Sequence, residues 1–318
     1  MTIKKHIKKL DLEKLETGKL HKLWLDLITD PFGGAMSIPL LVGRGSKPGP
    51  VLGLTAAVHG NELNGIPVIQ RLFNDIENDV VSGTIIGVPV VNVPAFMRKR
   101  RRFIDGTDLN HIMPGKKNGT VSQVYAYRFI NLLVSQFDYL IDLHTASMGR
   151  INSYYIRADM EDHTTAELAN LQNAQIIVNN PPSDGTLRGA TEALGIPAIT
   201  LEVGNPNTYQ RGMISSGITG LHNALIYLKM IEGELEVPKD KAILCKKSYW
   251  IYTESGGLLT VFPQVAEWVK KGDRIAAQYD IFGDKILDYF APEDGIVIGK
   301  SVSPVNQTGG RILHFGIV

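Results

Sequence analysis

Cysteine is almost absent from this sequence, since one Cys occurs among 318 residues. A single thiol excludes an internal disulfide framework and any thiolate-rich zinc or iron–sulfur site, so a bound metal would need His and carboxylate ligands. An excess of charge is also missing, because 33 Lys and Arg balance 32 Asp and Glu for a formal net charge of +1. This balance gives no global electrostatic reason to expect a nucleic-acid or anionic-membrane partner.

Long hydrophobic runs are lacking as well. No window approaches the run of about 18 apolar residues that a membrane-spanning helix needs. The charged N-terminal stretch has neither the apolar core nor the cleavage site of a signal peptide, so we expect a soluble cytoplasmic protein. What is present is an ordinary globular composition, with 44% hydrophobic and 20% charged residues. The length suggests one large domain or two smaller ones.

A polar N-terminal extension over residues 1–30 precedes an alternation of short apolar runs and longer segments of helical period. The pattern predicts strands at Val51 to Val58, Thr84 to Val91, Tyr139 to His144, Ile176 to Asn179 and Ala198 to Val203. It predicts helices at Leu63 to Ile76, Val121 to Gln136, Asp162 to Leu171, Gly189 to Leu194 and Ile214 to Ile231. Strands this rich in Val, Ile and Leu are typical of a sheet covered by helices on both faces, so we predict an α/β catalytic domain over residues 1–235.

The character of the chain changes at residue 236, after which short strand-like runs recur between Gly-containing turns. Its sequence GGLLTVFPQVAEWVKKGDRIAAQYD, followed by APEDGIVIG, resembles the barrel-sandwich fold of biotinyl and lipoyl carrier domains. A carrier needs its modified Lys on a hairpin tip, and the Asp284-Lys285 pair lies at the wrong distance from KGD and APEDG. We therefore interpret residues 236–318 as an unmodified all-β module, either a structural lid or an oligomerisation module.

The strongest local motif is LTAAVHGNELNG, in which His59, Gly60 and Glu62 follow a predicted strand. Ligands of open α/β sheets bind just beyond the carboxyl ends of the strands. A His-x-x-Glu there lets an imidazole and a carboxylate converge on one cation, and Gly60 gives the backbone freedom to do so. The alternative is that Glu62 is an ordinary first-turn helix residue and His59 a surface loop residue.

A second strand end, FDYLIDLHTAS, places His144 after another apolar run. His59, Glu62 and His144 at one sheet edge would provide three ligands and an open position, the ligand count of a catalytic zinc site. Strand alternation puts Asp142 on the same face as His144, where its carboxylate would orient an imidazole. The alternative for Asp142 is a solvated residue at the sheet edge.

A third strand, IPAITLEVG, carries Glu202 within an apolar run. Burying a carboxylate is costly unless it faces a polar cavity or a cation. Beside a metal-activated water, Glu202 would act as general base and would later protonate the leaving amine. Structural ion pairing is the competing explanation.

The segment MRKRRRFIDGTDLNHIMPGK begins with five consecutive basic residues, Arg98 to Arg102. In isolation this run suggests a phosphate-binding or targeting patch. It leads into Asp108-Leu109-Asn110, which has the pattern of a turn that places an amide inward. One Arg from the run would stabilise the oxyanion formed when water attacks a carbonyl, and the others would form a solvated face.

The set VHGNE, RRFIDGTDLN, IDLHTA and LEVG, in this order, resembles the succinylglutamate desuccinylase and aspartoacylase family, relatives of the zinc carboxypeptidases. The resemblance covers roughly residues 35–235 and implies a carboxypeptidase-like mixed sheet flanked by helices. It also implies amide hydrolysis of an N-acyl amino acid. It further implies one Zn²⁺ per chain, held by His59, Glu62 and His144. The other site residues that the resemblance implies are a catalytic Glu202, an Arg102 that stabilises the oxyanion, and Asn110 in contact with the substrate carboxylate.

One position departs from the family pattern. Asn110 is usually followed by Arg, whereas this chain has His111, which lacks the permanently charged bidentate fork of Arg. A dicarboxylic substrate is therefore in doubt. Two alternatives stand for Arg188 in GTLRGATEA: it supplies the missing charge, or it is a solvated helix residue.

Three functions follow from these residues. The first is a zinc-dependent deacylase acting on a small N-acyl amino acid or related amide. A homo-oligomer of this chain is a further expectation. The second is a metallocarboxypeptidase with the same machinery, which a β module covering the mouth of the site would disfavour. The third is a non-catalytic binding or scaffold protein, against which the complete set of ligands and base argues.

Overall fold

The computed structural model describes residues 5–76, 82–238 and 240–318. The first eleven strands in chain order are β1 Lys5–Ile7, β2 Lys19–Thr29, β3 Ala35–Arg44, β4 Lys47–Ala56, β5 Ser82–Val88, β6 Tyr139–His144, β7 Arg150–Asn152, β8 Tyr154–Ala158, β9 Ile176–Asn179, β10 Ala198–Val203 and β11 Ile243–Cys245. Ten of them form one mixed sheet in the order β1-β2-β3-β5-β4-β6-β10-β8-β9-β11. The strands predicted at Tyr139, Ile176 and Ala198 have the predicted bounds, and the α/β fold class is confirmed.

The centre of this sheet is parallel. Strands β5, β4, β6 and β10 are parallel neighbours, and the antiparallel strands β3 and β8 flank them. The carboxyl ends of β4, β6 and β10 therefore meet at one edge of the sheet, where parallel strands of open α/β sheets present their ligand sites.

Six α-helices occur among the described residues and cover both faces of the sheet. They are α1 Gly65–Asp75, α2 Val93–Met97, α3 Val121–Leu132, α4 His163–Asn170, α5 Leu187–Glu192 and α6 Arg211–Tyr227. On one face α3 and α5 contribute Phe129 and Leu187 to a buried core. On the other, α1 and α6 contribute Leu72 and Leu221 to a second one. Two separate cores explain why the central strands are apolar on both faces.

Residues 5–30 are not a polar extension, which corrects that part of the domain prediction. Strand β2 pairs antiparallel with β3 over Lys19 to Thr29, and its Leu23, Leu25 and Leu27 are buried. The intervening polar residues face outward, because an antiparallel strand near a sheet edge needs only one apolar face. Residues 1–4 of the predicted extension and residue 239 of the connector lie outside the described residues.

The C-terminal part is all-β, as predicted. Its strands are β12 Lys247–Tyr252, β13 Gly257–Val261, β14 Trp268–Val269, β15 Arg274–Tyr279, β16 Lys285–Phe290, β17 Gly295–Ser301, β18 Val305–Asn306 and β19 Arg311–Ile317. They form two sheets, β12-β19-β17-β14 and β16-β15-β13-β18, and β7 joins the first by pairing with β17. We call residues 247–318 the β module. The change of sheet falls after Cys245 rather than at residue 236, because β11 still pairs with β9.

The β module is fixed to the α/β part by a shared strand pairing and a shared core. Strand β7 pairs with β17 through Arg150 to Asn152. A small buried cluster contains Tyr155 and Val178 from the large sheet, Cys245, and Ile296 and Ile298 from the β module. The two parts thus bury apolar surface against each other, which sets the position of the β module relative to the sheet edge.

The hairpin between β15 and β16 does not present a lysine at its tip. Lys285 begins β16 and pairs with Asp288 at 2.9 Å, while Phe282 at the tip is 89% exposed. That the module carries no modified lysine stays a prediction. In the described part of the chain, no helix combines the length and apolarity that crossing a membrane requires.

Candidate active site

Strand register brings two predicted site residues, His144 and Glu202, into one row at the carboxyl edge of the sheet. His144, the last residue of β6, pairs with Glu202 of β10, and Glu202 in turn pairs with Tyr155 of β8. Paired residues on neighbouring strands project to the same face. His144 and Glu202 are 58 positions apart in the sequence, and the pairing of β6 with β10 makes them neighbours in space.

His59 and Glu62 lie on the turn between β4 and α1. The amide N–H of Glu62 donates to the carbonyl of His59 at 3.1 Å, which places the two side chains on one side of a tight turn. Gly60 is required here for space, because a Cβ atom would lie 2.1 Å from the carbonyl carbon of Ala95. The reason for glycine at this position is therefore close packing against helix α2, rather than the predicted backbone freedom.

His59, Glu62 and His144 form a buried cluster. His59 Nδ1 lies 2.9 Å from Glu62 Oε1, and His144 Nδ1 lies 2.9 Å from Glu62 Oε2. One ligand atom of each residue lies within 4.8 Å of the other two. His59 Nδ1 is buried without a hydrogen-bond partner among the described residues, although it is close to Glu62. A buried, unbonded ligand nitrogen beside a carboxylate fits a divalent metal ion that all three residues hold.

Each imidazole is oriented by a second carboxylate on its opposite nitrogen. His59 Nε2 lies 3.0 Å from Asp108, and His144 Nε2 lies 2.7 Å from Asp142. Thr55 donates a hydrogen bond of 2.6 Å to the other oxygen of Asp142. Such partners fix the ring orientation of metal-binding histidines. Asp142 has the predicted orienting position and is not a solvated edge residue, since it is 1% exposed.

The local charges favour a cation at this cluster. Burial opposes ionisation of Glu62, yet His59 and His144 hold its pKa well below the usual range. Burial also disfavours charge on His144, but Asp142 and Glu62 raise its pKa well above the ordinary value. The surrounding carboxylates therefore stabilise positive charge between the two imidazoles, which a proton or a metal ion can supply.

Glu202 is a buried carboxyl with two polar partners. Asn152 donates to its Oε2 at 3.1 Å, and Arg157 Nε lies 3.4 Å from its Oε1. Burial raises the pKa of Glu202, and Arg157 offsets part of this effect. Glu202 also lines the cavity onto which His59, Glu62 and His144 open. A carboxyl with a raised pKa at this position is suited to accept and return a proton.

The basic run places Arg101 in the site instead of Arg102, which corrects the predicted residue. Arg101 Nε donates to Asp108 at 2.9 Å, its Nη1 lies 3.1 Å from Glu62, and it also bonds Ser147. Arg102 is exposed and donates to the carbonyl of Gly106 at 3.2 Å. The turn passes through Lys99 at φ 53°, so the backbone path decides which side chain faces inward.

Asn110, His111 and Arg188 all line the cavity. The side-chain carbonyl of Asn110 accepts a 2.8 Å hydrogen bond from the backbone of Leu187, which ties this turn to α5. His111 is exposed at the rim. Arg188 is not a solvated helix residue, since it is only 7% exposed. Burial and the neighbouring Arg157 lower the pKa of Arg188 to about 10.

Sequence reasoning missed several residues that face the cavity. The cavity has a volume of about 360 Å³, and its lining includes Arg150, Arg157, Trp250 and Arg311. Trp250 and Arg311 come from the β module, which therefore lies over the mouth of the site. Arg157 could have been found by the argument that identified Glu202, because each is a charged residue within an otherwise apolar strand. No local pattern marks Trp250 or Arg311.

A mixed α/β sheet flanked by helices, with a buried His–Glu–His cluster and a buried carboxyl at the carboxyl ends of its parallel strands, defines an α/β protein with a candidate metal site. The model of the succinylglutamate desuccinylase/aspartoacylase catalytic domain matches residues 48–228. This match covers more than half of the chain, and the chain belongs to that family. The family assignment made from the four motifs is thereby confirmed.

Relatives in sequence and structure agree with this assignment. The chain is 28% identical to N-alpha-acetyl-L-2,4-diaminobutyric acid deacetylase of Halomonas elongata, over 84% of this chain and 82% of that protein. It is also 28% identical to succinylglutamate desuccinylase of Pseudomonas paraeruginosa, over 82% and 78% of the two chains. The product-bound ectoine utilization protein EutE (DoeB) of Ruegeria pomeroyi superimposes with a TM-score of 0.86 at 26% identity, over 96% and 97%.

Proposed function

We propose that the protein is a zinc-dependent deacylase that hydrolyses the amide bond of a small N-acyl amino acid. The observation that carries the proposal is the buried cluster of His59, Glu62 and His144, with Glu202 on the strand next to His144. The two curated relatives described above are named for deacylation of amide-linked amino acids. Imidazole and carboxylate donors suit zinc, and the absence of further thiols fits a site without Cys ligands.

When bound, a zinc ion held by His59, Glu62 and His144 would lower the pKa of a water molecule and polarise a carbonyl oxygen. Asp108 and Asp142 hold the two imidazoles in the orientation that this requires. Each orienting carboxylate accepts the proton on Nε2 of its ring, which leaves Nδ1, the nitrogen beside Glu62, available to a metal ion.

Glu202 has the position and the raised pKa of a general base. Its carboxylate would take a proton from the attacking water and return it to the nitrogen of the leaving amine. Arg157 and Asn152 hold the carboxyl group in place on one side. Arg101 takes the role predicted for Arg102, in which a guanidinium stabilises negative charge that develops on the carbonyl oxygen.

The cavity favours a small substrate over a peptide. Its volume of about 360 Å³ lies at the lower end of the range for small-molecule sites, about 300 to 1,000 Å³. Trp250 and Arg311 of the β module lie at its mouth, where a peptide chain would have to extend. The carboxypeptidase alternative is disfavoured for this reason.

Arg188 is the residue we propose to bind the substrate carboxylate in the interior of the cavity. Its guanidinium donates to Asn180 at 2.8 and 2.5 Å and has no carboxylate partner among the described residues. Asn110 and His111 would contact the same part of the substrate from the facing turn. Arg188 thus supplies a charge that His111 does not.

The test combines metal analysis with an amine-release assay. We expect about one zinc per chain in purified wild-type protein and almost none in His144→Ala, because the two remaining ligands bind zinc too weakly. We expect amine release from a panel of N-acyl amino acids and none from short blocked peptides. Wild-type protein that neither contains zinc nor gains it on reconstitution contradicts the metal assignment, and peptide cleavage would favour the carboxypeptidase. The cytoplasmic location and the homo-oligomer stay predictions.

A further inference from the structure

Most of the basic run lies outside the active site. Only Arg101 turns inward, where it pairs with Asp108 and Glu62. The four cations around it are exposed and form no ion pair with any described residue. They are Arg98, Lys99, Arg100 and Arg102. Unpaired charges of one sign this close together repel one another, and an anionic partner would relieve that repulsion.

The turn that holds this run also exposes apolar side chains. We call residues 96–104 the basic turn, and within it Met97 is 77% exposed, Ile104 41% and Phe96 38%. Phe96 also lines an apolar groove of about 610 Å³ between helix α1 and strands β2 and β3. The other walls of the groove include Trp24, Pro39, Leu41 and Phe73. Cations beside an apolar groove fit a partner segment that has both anionic and apolar side chains.

The chain itself contains a segment of this kind. Residues 232–237, which we call the acidic connector, follow helix α6 with the sequence EGELEV and form neither helix nor strand. The three glutamates are exposed and form no ion pair with any described residue. Leu235 is 43% exposed and Val237 is 67% exposed. The acidic connector therefore offers the charges and the apolar side chains that the basic turn and its groove lack.

Backbone hydrogen bonds hold the acidic connector in place. The amide N–H of Glu236 donates to the side-chain carbonyl of Asn223 at 2.8 Å, and its carbonyl accepts from the same side chain at 2.8 Å. The carbonyl also accepts a 2.9 Å hydrogen bond from Asn173. These bonds use the backbone and leave the glutamate carboxylates available. A segment that is already ordered loses less conformational entropy when it binds.

The two surfaces lie at opposite edges of the large sheet. The basic turn follows α2, beyond the carboxyl end of β5, whereas the acidic connector begins just after Met230, whose carbonyl accepts a 2.7 Å hydrogen bond from Ser82 at the start of β5. The seven residues of β5 separate these edges by about 20 Å. One molecule cannot bring its own two surfaces together, so a contact between them joins two copies head to tail.

We propose that the acidic connector of one copy binds the basic turn and the adjacent groove of a second copy. The glutamates pair with the exposed cations, and Leu235 and Val237 bury apolar surface in the groove. The net charge of the chain is only +1, so no overall repulsion keeps the copies apart. Exposed ion pairs are individually weak and the surfaces are small, so the contact is weak and sensitive to salt. It does not depend on the proposed deacylase function.

Sedimentation velocity of the full-length protein measures this association. At about 50 mM salt we expect the weight-average mass to rise above that of the monomer between about 10 and 300 µM protein. At about 500 mM salt we expect the affinity to fall at least about tenfold, because the short Debye length screens exposed charges.

Reversal of the charges locates the contact. R98E with K99E and R100E makes the basic turn acidic, and E232K with E234K and E236K makes the acidic connector basic. Each variant then has two surfaces of like sign, so each alone should stay monomeric. An equimolar mixture should associate again, because each surface finds an opposite charge on the other variant. Recovery in the mixture would also show that both variants are folded.

Two further variants complete the test. K246E with K270E and K271E is the matched control, since it reverses three exposed lysines of the β module and should associate as wild type does. Leu235→Asn with Val237→Asn keeps every charge and should weaken the association about tenfold, because it removes the apolar part of the contact.

Several results would overturn the contact between copies. They are a wild-type protein that is monomeric at every concentration, a mixture of the two reversed variants that stays monomeric, and an equal loss of association in the β-module control. Unchanged association in Leu235→Asn with Val237→Asn would remove the groove from the contact. Monomeric wild-type protein that binds phosphatidylglycerol vesicles, with binding lost in the R98E, K99E and R100E variant, would instead assign the basic turn to an anionic membrane.

Discussion

We compare the variants Arg101→Gln and Arg102→Gln, because the local sequence does not show which of these two neighbouring arginines enters the site. Arg101 donates to Asp108 at 2.9 Å and lies 3.1 Å from Glu62. The side chain of Glu62 is 1% exposed, whereas that of Arg101 is 32% exposed. Arg102 is exposed and donates to the carbonyl of Gly106 at 3.2 Å. The two substitutions remove the same charge from sites with different surroundings.

The magnitude follows from these contacts. A hydrogen bond between charged groups contributes about 1.5 to 3 kcal/mol, and we expect a loss of about 2 kcal/mol in Arg101→Gln because solvent partly screens the guanidinium. Loss of one donor to a developing oxyanion should lower kcat by about 10² to 10³. For Arg102→Gln we expect stability within about 0.5 kcal/mol of wild type and an unchanged kcat.

Urea denaturation gives the stability change, and initial rates of amine release give kcat. Both variants are compared with wild type at equal and full zinc content, so that a loss of metal is not mistaken for a loss of catalysis. A larger decrease of kcat in Arg102→Gln than in Arg101→Gln would refute the placement of the two side chains. Equal decreases would show that the run acts only through its net charge.

The remaining predictions concern three other residues. Glu202→Gln should retain zinc but lower kcat by about 10² to 10⁴, because it removes the proposed base and leaves the ligands intact; loss of zinc in this variant would assign Glu202 to the metal instead. Gly60→Ala should destabilise the fold by at least about 2 kcal/mol, since its Cβ would lie 2.1 Å from the carbonyl carbon of Ala95, whereas Gly212→Ala, with no atom within 4 Å, should not. A small effect at Gly60 would contradict the close packing of this turn. Burial, together with Arg157 and Arg311, holds the pKa of His314 well below its ordinary value. Below about pH 6.5 the unfolded chain therefore binds a proton at His314 that the folded chain does not, so the free energy of unfolding falls as the pH drops. Between about pH 7 and 5.5, urea denaturation should show a loss about 1 kcal/mol larger in wild type than in His314→Gln; identical pH profiles would place a charged His314 in the fold.

The convergence of His59, Glu62, His144 and Glu202 could be predicted because it depends on local patterns. His144 and Glu202 end apolar strands, and His59 and Glu62 follow one. Parallel strands covered by helices present their carboxyl ends at one edge, so chemistry-bearing residues at several strand ends must converge. The bounds of strands β6, β9 and β10 were predictable for the same reason, since continuous apolar runs between turn residues are strong signals.

The N-terminal strands were misread because their signal is weaker. In strand β2, Lys19, His21 and Lys22 precede the buried leucines and Asp26 lies between two of them, so the strand reads as polar although its pairing with β3 helps to bury Leu23, Leu25 and Leu27. The segment is polar on average, and this average hides the alternation of buried and exposed side chains along the strand. The choice between Arg101 and Arg102 was wrong for a different reason. Lys99 has a left-handed backbone conformation, and the turn it forms decides which of the two side chains faces the cavity.

By itself, the sequence determined the α/β class and the family, and it predicted that His59, Glu62, His144 and Glu202 meet at one sheet edge, because each lies within a few positions of a strand end. Only the tertiary structure decided which arginine enters the site and that Trp250 and Arg311 lie over its mouth. Arg311 is separated from Glu202 by more than one hundred positions and reaches the cavity only because β7 pairs with β17 and a shared core fixes the β module there. Pairing and packing between distant segments leave no periodic trace in either segment, so this part of the site had to be seen folded.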